Sequence, residues 1–243
     1  MPTQLTLGPG KPFSTYDQER AIKRYLDSIL VEKSKNKYKC INDFLIEKFP
    51  DVKGIEKGKN LINDKDDFVD QTVKVINNLQ SSSLAIQGPP GTGKTWISAK
   101  VIIELLKKGK KIGISSNSHK AINNLLKQIE DIAVEEKFEF KGLKKSSLDT
   151  ETKKIKEDQI FNGKTEMIHN TTSNISASSD YSLFAGTLWY FSYTGSKFNK
   201  KTQEAEEKPP IFDQSLDYMF CDEAGQVSLA GAIVLGTTTK NKI

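Results

Sequence analysis

Gly88-Pro89-Pro90-Gly91-Thr92-Gly93-Lys94-Thr95 carries the most specific chemistry in the chain. It spells G-x-x-x-x-G-K-T, the phosphate-binding loop of nucleoside triphosphatases. The glycines let the backbone curl until successive N–H groups point inward at a β- or γ-phosphate. Lys94 adds a point charge for the phosphates, and Thr95 offers a hydroxyl to Mg2+. Such a loop needs a strand before it and a helix behind it, and the flanking residues predict both. Leu84-Ala85-Ile86-Gln87 reads as a short apolar strand. Ile97, Val101, Leu105 and Leu106 recur at helical spacing from Thr92 to Leu106, with Gly109 placed to end the helix. The helix N-terminus then faces the anion.

The second chemical signal is Asp222-Glu223, delivered at the end of Leu216-Asp217-Tyr218-Met219-Phe220-Cys221, a buried-type strand. In phosphoryl transfer a strand-end Asp holds the Mg2+ shell while a neighbouring Glu orients and deprotonates water. Consecutive side chains point different ways, so one can face the metal and the other the γ-phosphate. An isolated acid pair at a strand end is ordinary solvated surface. After a complete phosphate loop it becomes the other half of a site.

The elements between must bring these two together. Ile112-Gly113-Ile114 predicts a strand and Ser115-Ser116-Asn117-Ser118-His119 a polar loop; Ile122, Leu125, Leu126, Ile129 and Ile132 mark a helix. Strand–loop–helix repeated twice predicts a right-handed crossover and a parallel sheet. Ligands of such sheets bind at the carboxyl ends of the strands, which puts the phosphate loop and the 115–119 loop on one edge. Phe138-Glu139-Phe140 alternates like a further strand. Residues 141–180 read as a polar surface excursion with one helix near Thr152 to Phe161 and a flexible stretch from Asn170 to Asp180. Tyr181 to Ala185 resumes as a strand, followed by Gly186-Thr187-Leu188-Trp189, and Lys197 to Pro210 reads as a second charged loop.

Upstream, residues 1–13 read as a loose leader. Ile22, Tyr25, Leu26, Ile29 and Leu30 fall on one helical face, capped by Ser14 or Thr15. Ile41 to Phe49 predicts a second helix stopped at Pro50, and Asp64 to Leu79 a third that carries Phe68, Thr72, Val75, Ile76 and Leu79 on one side. Asp51-Val52-Lys53 has the D-x-K lettering of some nuclease sites but neither the upstream carboxylate nor the strand such a site needs, so it reads as a solvated loop. The domain boundaries expected are a helical extension over 1–63 and an ATP-binding domain over 64–243.

The bulk properties are permissive. No apolar run approaches the ~20 residues of a membrane span, and Met1 to Leu5 lacks a signal-peptide pattern. Cys40 and Cys221 form neither a metal pattern nor a disulfide framework, as expected in a reducing cytoplasm. A formal charge of +5 permits a polyanionic partner without requiring one.

Gln87 to Thr95, followed by Asp222-Glu223-Ala224-Gly225-Gln226, resembles motifs I and II of superfamily 1 helicases, in the branch close to the nonsense-mediated-decay helicase. Gly113 to Leu126 is similar to motif Ia, and Ala185 to Ser192 sits where motif Ic belongs. The wording is closest to the helicase half of bacterial proteins that fuse a RecB-type nuclease to such a motor, over roughly residues 41–243. The resemblance implies an α/β P-loop NTPase of RecA-like fold, with a parallel sheet flanked by helices. It implies ATP and Mg2+ as cofactors: Gly88 to Thr95 and Gln226 at the nucleotide, Thr95 and Asp222 at the metal, Lys94 and Glu223 in catalysis, and Gln71, upstream of motif I, as adenine reader. Ser116, Asn117, Ser118, His119 and Thr187 would grip a single-stranded nucleic acid, DNA in preference to RNA. It further implies that motif III would follow a strand beginning near Asn241, and that a second RecA-like domain with its arginines and the fused nuclease lie outside these residues. A fragment with a missing wall is expected, and an arginine across the cleft is worth about 10³–10⁵ in rate. Two other classes compete: a binding module that holds ATP and a strand with little turnover, and a nucleotide or small-molecule kinase, which the scarcity of arginine and the Ala-Gly-Gln after the acids disfavour.

Overall fold

The computed structural model describes residues 15–30, 37–63, 67–89, 91–146, 164–168, 180–194, 198–199, 204–205 and 210–240. In chain order the helices are α1 (Tyr16–Leu30), α2 (Lys39–Leu45), α3 (Phe68–Asn78), α4 (Lys94–Lys107), α5 (His119–Glu135), α6 (Leu188–Ser192) and α7 (Leu229–Thr238). The strands are β1 (Ile112–Ser115), β2 (Gly142–Lys145), β3 (Thr165–Ile168), β4 (Leu183–Ala185), β5 (Phe198–Asn199), β6 (Glu204–Ala205) and β7 (Tyr218–Cys221). Five of them form one parallel sheet in the order β3-β2-β4-β1-β7; β5 and β6 pair separately and antiparallel. The expected α/β architecture with a parallel sheet is present.

Alternation along the strands sorts side chains between two faces. On β4, Leu183 and Ala185 join Ile112 and Ile114 of β1 under α4 and α5, while Phe184 joins Met219, Phe212 and Leu235 on the side of α6 and α7. α4 is buried on nearly every side, from Ile97 through Val101, Ile102 and Ile103 to Leu105, because it lies between α3, α5 and the sheet. Its end closes as expected at Gly109 (φ 68°), where Gly109 N–H donates to Leu106 O and Lys110 N–H to Leu105 O. α1 and α2 pack outside α7.

Four expectations are corrected. Leu84 to Gln87 is irregular rather than a strand: Leu84 is partly buried in the core, while Ala85, Ile86 and Gln87 are exposed. A strand needs a ladder partner, and among the described residues the sheet ends at β7, whose outer side carries only the parallel bridge Leu216↔Thr239. Phe138-Glu139-Phe140 is an extended link, not a strand. Lys137 (φ 54°) closes α5 with a Phe138 N–H bond to Ala133 O, and the two phenyl rings then stack at 6.4 Å as they enter the core. Residues 142–145 and 165–168, expected within a surface excursion, are β2 and β3, and Lys144 on β2 is fully buried. The expected helix near 152–161 and the stretch 170–179 lie outside the described residues, as do residues 1–13.

The fourth correction concerns α1. Leu26 and Leu30 are exposed, and Gln18, Ala21, Tyr25 and Ser28 form the buried face. That face meets α7, whose Ala232 and Ile233 pack against the cluster of Tyr25, Tyr38 and Ile41. Asp51-Val52-Lys53 is a loop as expected, though not wholly solvated. Val52 is buried and bridges Leu79, and Asp51 pairs with Lys57 at 2.9 Å.

Candidate functional site

The chain turns from α4 directly through residues 108–111 into β1, so α4 runs antiparallel to the strand and its N-terminus lies at the strand's carboxyl edge. The phosphate loop therefore arrives at the edge where β1, β4 and β7 also end. Gly91 (φ 82°) and Gly93 (φ 80°) hold the left-handed conformation that side-chain-bearing residues resist. Gly93 is the N-cap of α4 and offers no side chain to it. The first-turn N–H groups of α4 are thus left for a ligand, the arrangement by which helix termini bind phosphate. Lys94 Nζ lies within the loop, donating to Gly88 O at 2.6 Å and Pro89 O at 2.9 Å. Thr92 Oγ1 donates to Pro89 O at 2.8 Å and stiffens the turn. Thr95 stands in the first turn, half-buried, and Pro90 lies outside the described residues.

At the end of β7, Asp222 N–H donates to Ser115 O at 2.9 Å, extending the β1–β7 register past the last paired residues. Asp222 Oδ1 accepts the N–H of Glu223 at 2.9 Å. Glu223 itself adopts φ 53°, ψ 40°, a left-handed conformation uncommon for a non-glycine residue. Strain of this kind gathers at functional sites, and here it turns the Glu223 side chain off the strand line, exposed, one residue beyond Asp222. Cys221 behind them is partly buried, and burial with the Asp222 charge pushes its thiol up to about 11, so it is inert.

The 115–119 loop joins these acids. Ser115 completes β1 rather than beginning the loop, and Ser116 is buried, its Oγ accepting from Ser118 N–H at 3.4 Å. Ser118 N-caps α5 through Ala121 N–H, as expected. Asn117 Nδ2 donates to the backbone oxygen of Gln226, tying the loop to the turn after the acid pair. Gln226 is exposed. His119 opens α5, and burial followed by the charges of Lys144 and Lys145 holds its imidazole below its usual range. Thr187 precedes α6 at the end of β4.

The Gln71 amide on α3 is bound twice to the main chain of Asn63: Oε1 accepts its N–H at 2.7 Å and Nε2 donates to its C=O at 2.8 Å.

A protein-family model described as an AAA domain matches residues 68–208, over half of the chain. The chain belongs to this family. The AAA domain here is a helicase-family domain on a P-loop NTPase fold, and the matched span runs from α3 through the phosphate loop to the region beyond α6. No curated protein matches the chain. In this AAA domain no helix among the described residues is long and apolar enough to cross a membrane.

Sequence reasoning missed two residues on the same edge. Lys144, at the end of β2, is buried with its ammonium 3.3 Å from Ser146 Oγ, and burial pulls its pKa down to about 8. Its only sequence signal is a Lys-Lys pair after Gly-Leu inside a polar stretch. Trp189 is the second, in the first turn of α6 and 47% exposed.

Proposed function

We propose that this chain is the first RecA-like motor domain of a superfamily 1 helicase, in the branch near the nonsense-mediated-decay helicase and the RecB-type nuclease fusions. It binds ATP·Mg2+ and couples hydrolysis to movement on single-stranded nucleic acid, DNA in preference to RNA, in a reducing cytoplasmic setting. One observation carries the reading: the Asn117–Gln226 bond and the Asp222–Ser115 bond fasten the acid turn to the loop that would hold the strand, on the edge to which the phosphate loop is delivered. A change at the γ-phosphate that moved the acid turn would be felt by the strand.

The residues present fit ATP and Mg2+. The open N-terminus of α4, the two left-handed glycines and Lys94 suit a triphosphate. The Thr95 hydroxyl and Asp222 would hold the ion, which in such sites keeps few protein ligands and leans on phosphate oxygens. Mg2+ supplies charge neutralisation at the phosphates when bound. Glu223 would accept the proton of the attacking water, and Lys94 would bear on the phosphate charge. Gln71 would read adenine by exchanging the N–H and C=O of Asn63 for the donor and acceptor of the base edge.

A second arrangement limits turnover by this chain alone. The sequence has two arginines, Arg20 and Arg24. Both lie on α1, packed outside α7 on the face of the sheet opposite α4, and Arg24 is engaged with Tyr38. A cross-cleft arginine would come from a second RecA-like domain, so slow hydrolysis by the isolated chain accords with the proposal.

The test places a negative charge on the strand edge. Ser118→Asp keeps the α5 cap, because Asp caps as well as Ser. Affinity for single-stranded DNA should drop while ATP affinity and helix content hold. Parent affinity should fall with salt at about −0.7 per neutralised phosphate on a log–log plot. Unchanged strand affinity in the variant at low salt would put the nucleic acid elsewhere.

A further inference from the structure

The loop between α2 and α3 is fastened along α3 and reaches Gln71. Its start is pinned at the far end of that helix: Lys53 N–H donates to Asn78 O at 2.9 Å, Gln80 N–H donates to Asp51 O at 2.7 Å, and Val52 bridges Leu79 antiparallel. Turns at Gly54 (φ 87°) and Gly58 (φ 80°) send the chain back, with Ile55 and Leu61 packed against Val52, Val75 and Leu79. The loop thereby travels from beside Asn78 to beside Gln71, about 10 Å of helix at about 1.5 Å per residue. Just past Leu61 it presents Asn63, whose N–H donates to Gln71 Oε1 at 2.7 Å and whose C=O accepts from Gln71 Nε2 at 2.8 Å.

One residue offering N–H and C=O side by side is the pattern of a hydrogen-bonded pair in an antiparallel ladder. The major-groove edge of adenine offers the same order, an N6–H donor beside the N7 acceptor, and a glutamine amide meets that edge with both ends. Guanine presents two acceptors there, O6 and N7, so it would satisfy Nε2 and leave Oε1 facing an oxygen. Asn63 thus imitates the edge of one purine and not of the other. Asn63 is also exposed. Water can take over its N–H and C=O once they are released, and bonds in such exposed segments open at little cost.

We propose that the Asn63 main chain is an internal stand-in for adenine: it occupies the Gln71 amide in the nucleotide-free protein and is displaced only by a base whose edge replaces both of its bonds. Base selection then depends on Asn63 as well as on Gln71. The proposal rests on the nucleotide reading above and adds to it the competitor that a base must displace. Each exchanged bond is neutral and worth about two- to 13-fold in an equilibrium constant, so the stand-in weakens adenine binding without blocking it.

The Asn63 amide reports the displacement directly. In the full chain with Mg2+, its hydrogen-exchange rate is followed without ligand, with saturating ATP, with saturating GTP and with inorganic tripolyphosphate, which fills the phosphate loop but carries no base. ATP should speed exchange at Asn63 several-fold, whereas GTP and tripolyphosphate should leave it at the ligand-free rate. Asn63→Pro deletes the N–H and keeps the C=O. It should tighten ATP binding about two- to 13-fold, the value of one neutral bond, and leave tripolyphosphate binding unchanged, a split that a merely structural role would not produce. The exchange comparison needs no variant and stands even if this one misfolds. Bound ATP with Asn63 exchange unchanged would overturn the stand-in and leave the phosphate loop assigned. Equal acceleration by GTP or tripolyphosphate would also overturn it, because release would then not follow the adenine edge. Failure of ATP and tripolyphosphate alike to bind would overturn the nucleotide reading together with the stand-in.

Discussion

Replacing Lys94 by alanine removes the ammonium that the structure places inside the phosphate loop. Its Nζ donates to Gly88 O at 2.6 Å and Pro89 O at 2.9 Å, both neutral acceptors. A bound triphosphate would exchange them for charged oxygens. A hydrogen bond to a charged group is worth about 1.5–3 kcal/mol against about 0.5–1.5 for a neutral pair, a gain of about 1–1.5 per bond. Over two bonds the exchange yields about 2–3 kcal/mol, so Lys94→Ala should weaken ATP binding about 30- to 150-fold at 1.4 kcal/mol per decade. Folding should change by less than about 1 kcal/mol, because water can take over both carbonyls at this half-exposed site. Calorimetric titration with ATP in Mg2+ measures the first quantity, and thermal melting without ligand the second. A cross-check is available at high nucleotide. At ATP a hundredfold above the parent Kd the parent gains about 2.7 kcal/mol of stability, most of which the variant should forgo. Equal Kd values for the two proteins would refute the assignment of this loop to a triphosphate.

The acid pair and His119 give two further tests. Glu223→Gln should preserve ATP·Mg2+ binding and abolish turnover, whereas Asp222→Asn should weaken Mg2+-dependent binding; the amide keeps the acceptor that the Glu223 N–H uses, so the turn survives. The same phenotype in both variants, assayed in parallel for binding and phosphate release, would argue against separate roles. For His119, burial first, then Lys144 and Lys145, depresses the folded pKa below the unfolded value of about 6.5. The unfolded state therefore binds the proton more readily, so this residue's contribution is fully present above pH about 6.5 and is lost as pH falls through the folded value. Urea midpoints at pH 7.5 and 5.5 should fall further for the parent than for His119→Gln, and equal falls would show that the imidazole is not held neutral.

Local chemistry and periodicity were enough to mark the residues that could act. The left-handed turns at Gly91 and Gly93 were legible in the letters, because glycine accepts that conformation without steric cost. Ser118 announced its cap, Gly109 its helix end, and the apolar spacing from Ile122 to Ile132 its buried helix face, since each depends on interactions a few residues apart. Tertiary contacts decided the rest. Whether Leu84 to Gln87 becomes a strand depends on a neighbouring chain segment to accept its hydrogen bonds, which its own letters do not contain. β2 hid in a Lys-rich stretch because its place between β3 and β4 buries Lys144, against the ordinary preference of lysine for water. The face of α1 was set by where α7 lies, which buries Gln18, Ala21, Tyr25 and Ser28 and leaves Leu26 and Leu30 exposed. Glu223 reads as an ordinary strand-end acid until the backbone around it is folded. Its left-handed turn and the Asn117–Gln226 tie exist because β1 and β7 end side by side, more than a hundred residues apart in sequence, and only long-range packing brings such ends together.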